Sequence, residues 1–120
     1  AGYDAIAVDN AAEGLAREVW GTLLAFWQAR HAPDAALRDV FGAIALDEAR
    51  HAELSRALHA WLLPRLDTVT PAQLAAVRSD VWQQVAAGTC ELPPHLRRDL
   101  GLPHSPIDLA YEADAVGLAA

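Results

Sequence analysis

The chain is poor in cysteine and in basic residues, and it has no long apolar run. Its single cysteine, Cys90, cannot close an intrachain disulfide and has no companions for a thiolate metal cluster. Nine Lys+Arg stand against 16 Asp+Glu, giving a formal net charge of −7 and a sequence pI near 5.0. That balance argues against nucleic acid and anionic membrane surfaces, which are gripped by clustered cations, and suits a protein that meets cations. No uninterrupted stretch of about eighteen apolar residues exists to span a bilayer. The first residues also lack the basic, apolar and small-residue succession of an export signal, so a cytoplasmic location is expected. A glycine-rich phosphate loop, a nucleophile elbow, a His-Glu-x-x-His zinc motif and a Cys-x-x-Cys pair are all missing. Hydrolase chemistry is therefore a poor choice.

What the chain has instead is alanine, 27 of 120 residues, at a mean hydropathy of +0.11. Such a composition predicts one compact all-α domain whose helices approach closely through small side chains. The first helix is expected over about residues 3–30, which hold no proline. There Leu15, Ala16, Val19, Trp20, Leu23, Leu24, Phe26 and Trp27 recur at helical spacing. Pro33 ends the pattern and Asp34 is a ready N-cap. A second helix follows over about 35–63, with Leu37, Phe41, Ile44, Leu54, Leu58, Trp61 and Leu62 as its expected buried side, antiparallel to the first. Thr70, Pro71 and Gln73 form a capping-box start for a third helix, in which Leu74, Val77, Val81 and Val85 share a face and Gly88 is the expected C-cap. Residues 95–100 predict one short helix. Residues 102–120, with Pro103 and Pro106, predict a tail or arm in which 107–116 form a weak helix.

The chemistry lies in the first two helices. Glu48 follows Ile44 by four residues, Phe41 by seven and Leu37 by eleven, so it points with the apolar row, and His51 is one turn further on the same side. An inward carboxylate beside an inward imidazole needs a cation, a hydrogen-bond network or water. Divalent iron or manganese meets that need with these ligand types. On the first helix Glu13 shares a face with Trp20, Leu24 and Trp27. A turn centred near residues 31–33 sets it opposite 49–53, level with His51. Glu13, Glu48 and His51 then converge from two helices. A di-iron carboxylate bundle needs two such sets from four helices. This chain carries one, because Asp80 falls off the apolar face of the third helix. The simplest completion is a homodimer or higher homo-oligomer in which each copy supplies Glu13, Glu48 and His51.

The strings Asn10-Ala11-Ala12-Glu13-Gly14-Leu15-Ala16-Arg17-Glu18 and Ile44-Ala45-Leu46-Asp47-Glu48-Ala49-Arg50-His51-Ala52 resemble one half of the ferritin-like superfamily, nearest to rubrerythrin-type and half-size encapsulated ferritins. The resemblance covers about residues 3–66. It implies a ferritin-like domain over residues 1–88, with a proline-containing extension over 89–120 and a four-helix bundle completed by dimerisation. It implies Glu13 and Glu48 as bridging carboxylates and His51 as the nitrogen ligand of a di-iron centre that oxidises Fe(II) with dioxygen or peroxide. Manganese or zinc fits the same ligands. The half-size relatives imply a shell protein as a further partner and a protein compartment as the location.

Other roles compete for these residues. Asn10 followed by Glu13 forms a capping box if the first helix begins at Asn10. Glu48 and His51 alone make a structural polar pair, which would leave a non-enzymatic helical association module. Oxidation of an organic substrate at a di-iron centre is a third reading, favoured by a pocket larger than dioxygen beside the metals. Glu18 lies roughly 140° round an α-helix from Glu13 and reads as a solvated or interhelical ion pair. Asp47 pairs with Arg50 or Arg17. His31 caps the first helix and His59 is a core or interface histidine, while His95 and His104 are surface residues. Trp20, Trp27, Trp61 and Trp82 read as packing, and Cys90 has no base beside it.

Overall fold

The computed structural model describes residues 2–105, 108, 109 and 113, and every regular element among them is helical. The first helix is one continuous rod over residues 2–31 with a change of winding inside it. It runs as α1 (Gly2–Asp9), a π-helical stretch (Asn10–Glu18) and α2 (Val19–His31). The chain leaves α2 at Ala32 in extended conformation before Pro33, and the Asp34 carboxylate accepts from the Leu37 amide to start α3 (Ala35–Leu62). Arg38 Nη1 donates to the carbonyls of Ala32 and Pro33 at 2.7 and 2.9 Å, which satisfies groups that the end of α2 leaves open. Pro64 turns the end of α3 into a 3₁₀ turn. The capping box is complete at Thr70 and Gln73, and α4 (Pro71–Cys90) runs two residues past Gly88. A six-residue α5 (Pro94–Asp99) follows.

The rod and α3 form the expected antiparallel hairpin, and α4 packs against the rod's π-helical stretch. The molecule measures 48 × 25 × 21 Å. The long dimension follows from the 28 residues of α3, about 42 Å at 1.5 Å per residue. The seam of α3 differs from the expected apolar row. Its buried residues are Ala45, Ala52, Ser55 and Leu62, while Ile44, Leu54 and Trp61 are exposed and Leu37, Phe41 and Leu58 are half-buried. Small side chains let the two helices approach closely, so α3 meets the rod along its alanine face and the larger residues flank that line.

Two apolar clusters hold the hairpin to α4. One joins Val19, Trp20, Leu23, Ala52 and Ala86, with Trp82 edge-on to Trp20 at 5.1 Å. The other joins Ala7, Ala11, Leu62 and Leu74. Leu23, Leu62 and Leu74 are buried to within 1%, and each contributes about 1.5–3 kcal/mol of apolar burial. Leu109 and Ala113 are buried in the first cluster, so this part of the expected tail belongs to the core. Asp108, Leu109 and Ala113 are helical, and the rest of the expected 107–116 helix lies outside the described residues. At the other end the Asp4 carboxylate accepts from the amides of Asp67, Thr68 and Val69 and from the Thr68 hydroxyl. Those bonds, the Asp67 amide first, hold its pKa well below the usual carboxylate range. No helix among the described residues is long and apolar enough to cross a membrane.

Candidate metal centre

Glu48 and His51 stand one turn apart on α3, as the Glu-x-x-His spacing requires, and both turn toward the rod. His51 Nδ1 lies 3.8 Å from Glu48 Oε2 and 3.5 Å from Oε1 of Glu18 across the seam. These separations exceed an ordinary hydrogen bond. One ligand atom from each of Glu18, Glu48 and His51 falls within 4.8 Å of the other two. Donors on opposite sides of an ion at about 2.2 Å are about 4.4 Å apart, so small rotamer changes bring all three onto one divalent ion. Two carboxylates and an imidazole suit iron, manganese or zinc. The side chains of Glu18, Glu48 and His51 are 37%, 33% and 49% exposed, so a cation reaches them from solvent.

The Glu18 carboxylate is supported from behind. The Ser55 hydroxyl donates to Glu18 Oε2 at 3.3 Å, and the buried Asn10 side chain donates from Nδ2 to the Ser55 carbonyl at 2.9 Å. Gly14 makes this packing possible, because a Cβ there would stand 2.5 Å from both Asn10 Oδ1 and Ser55 Oγ. Asn10, Gly14 and Glu18, four residues apart along the π-helical stretch, therefore all face Ser55. Second contacts of this kind fix the orientation of a metal-binding carboxylate.

Of the residues named from sequence, Glu48 and His51 are brought together and Glu13 is not in their cluster. Glu13 is exposed, and its Oε1 accepts from Arg17 Nε at 3.2 Å. Such an exposed pair contributes about 0.3–0.5 kcal/mol. The rod's carboxylate nearest His51 is that of Glu18, five residues on. Five residues of α-helix rotate a side chain by about 140° beyond a full turn. A π-helix bonds residue i to i+5, so the winding is wider and the spacing rule changes. A sequence signal existed in the four-residue step Asn10-Gly14-Glu18, but helical spacing from the tryptophans pointed elsewhere. The alternative capping box is absent, since the rod passes through Asn10 without beginning there.

Glu18 and Glu48, but not His51, line a concavity of about 510 Å³ whose walls also include Asp9, Glu13 and Arg17, with Ile6 and Leu58 as apolar lining. Asp47 pairs with Arg50 at 3.8 Å and stays clear of the cluster. His59, on α3, is half-buried. Burial lowers its pKa from the ordinary histidine value, and the nearby positive charge of Arg78 adds to the effect. His31 ends α2 with its ring 4.0 Å from that of Trp27, and His95 and His104 are exposed. No family model matches the chain, nor does any curated protein or solved structure.

Proposed function

We propose that the chain is half of a ferritin-like, non-haem di-iron centre that oxidises Fe(II) with dioxygen or peroxide. The observation that carries the reading is the convergence of Glu18, Glu48 and His51 from two antiparallel helices. Glu48 and Glu18 supply the carboxylates and His51 Nδ1 the nitrogen, while Ser55 holds Glu18 in place. Asp9 and Glu13, the latter paired with Arg17 on the same wall, put two carboxylates on the approach to Glu18 and Glu48. Iron held by these oxygen-rich ligands and one imidazole would supply the electrons for reducing dioxygen or peroxide. One set of three leaves a dinuclear site half complete, and a second copy of the chain supplies the other half. Ile6 beside the ligands and Ile44 and Leu54 on α3 expose apolar surface for that contact.

Elemental analysis tests this after anaerobic loading with Fe(II) and gel filtration, with Glu48→Ala in parallel. About one iron per chain in a dimer, lost in the variant, is expected. No specific iron in either protein would end the proposal. The concavity beside Glu18 and Glu48 is also larger than dioxygen needs, which favours a second reading in which an organic molecule is oxidised there. Oxygen consumption measured with Fe(II) alone, and then with candidate organic reductants, separates the two.

A further inference from the structure

A second concavity, of about 460 Å³, opens between the C-terminal end of α2 and the segment that runs from α5 to His104. The formally charged residues in its walls, Arg97 and Arg98, are both cationic. Arg97, Arg98, His31 and His104 line it with Trp27 and Leu102, and no carboxylate does, in a chain whose net charge is −7. Arg98 Nε donates to Asp99 at 3.1 Å on the exposed side. Arg97 Nε is buried and has no acceptor among the described residues. A buried donor without an acceptor is rare in a folded protein, and a guanidinium edge is shaped for the two oxygens of a carboxylate or phosphate. The nearby carbonyls of Ala32 and Pro33, which would repel an anion, are already engaged by Arg38.

The walls are held firmly. Gln28 Nε2 donates to the Leu100 carbonyl at 3.0 Å. Gly101 follows at φ +67°, so close to Ala32 that a Cβ would strike its backbone. The rings of Trp27 and His31, with centroids 4.0 Å apart and planes tilted by 32°, give the concavity an aromatic wall beside the cations. We propose that this concavity binds a small oxyanion carried on a flat apolar body, with the oxyanion at Arg97 and the body against Trp27 and His31. The site is independent of the metal-binding cluster and does not rest on its chemistry.

Calorimetric titration of the full chain with benzoate, phenyl phosphate and inorganic phosphate tests the proposal. Saturable binding of benzoate or phenyl phosphate at one site per chain is expected, weakened at least about tenfold by Arg97→Gln, since a charged hydrogen bond is removed. Arg98→Gln and His104→Ala are expected to weaken it less. Preference for benzoate assigns a carboxylate and preference for phenyl phosphate a phosphate ester. Inorganic phosphate binding as tightly as phenyl phosphate would overturn the role of the Trp27 and His31 wall. Absence of saturable binding by all three probes, or binding unchanged in a folded Arg97→Gln protein, would overturn the site itself.

Discussion

Replacing Gly14 by alanine tests the packing that sets Glu18 against Ser55. In an ordinary helix interior this change stabilises by about 0.5–1 kcal/mol, because alanine loses less conformational freedom. At Gly14 the added methyl would lie 2.5 Å from Ser55 Oγ and 2.7 Å from Ser55 Cβ. Ser55 is itself buried against the rod, so its Cβ cannot swing away and the two helices must separate. Overpacking of this kind costs about 1–3 kcal/mol, which offsets or exceeds the propensity gain and leaves a net loss of up to about 2.5 kcal/mol. Gly21 is the internal standard. It lies on the same rod, and a Cβ there meets nothing within 4 Å, so Gly21→Ala is expected to stabilise by about 0.5–1 kcal/mol. Urea denaturation of the two variants should show midpoints displaced in opposite directions at unchanged slope. A Gly14→Ala protein as stable as Gly21→Ala would refute the tight seam and the support it gives to Glu18.

Three further outcomes follow from the same geometry. Glu18→Gln is expected to abolish tight Fe(II) or Zn(II) binding, while Glu13→Gln leaves it nearly intact; calorimetric titration giving the reverse order would restore the α-helical register. Ser55→Ala removes the hydroxyl donor to Glu18 and should weaken metal affinity about 10-fold with a stability loss of only about 0.5–1.5 kcal/mol, read by competition with a chromophoric chelator. Because the folded-state pKa of Asp4 is depressed, its contribution is fully present above about pH 4, the unfolded value, and is lost as pH falls through the folded one. Thermal melts should therefore show a loss of stability on acidification below about pH 4 that is smaller in Asp4→Asn, with faster amide exchange at Asp67 to Val69 in the variant at neutral pH. Equal acid sensitivity in both proteins would remove Asp4 from the account.

The all-helical fold, the hairpin break at Pro33 and the Thr70 capping box were legible in the sequence, because proline geometry, side-chain caps and apolar periodicity act within a few residues. Glu48 and His51 were legible for the same reason, being one turn apart on a single regular helix. The burial of Ala45, Ala52 and Ser55 in place of Ile44, Leu54 and Trp61 was not. Which line of α3 meets its neighbour is settled by how closely two helices can approach, and periodicity admits more than one line. The exchange of Glu13 for Glu18 is the sharpest case. Within the π-helical winding of residues 10–18, Asn10 and Gly14 meet Ser55, 45 and 41 positions away in the chain. A contact over that distance leaves no local pattern to read. The sequence determined that a carboxylate and a histidine would face the first helix together. The tertiary structure alone decided which carboxylate faces them, because it sets the number of residues in each turn.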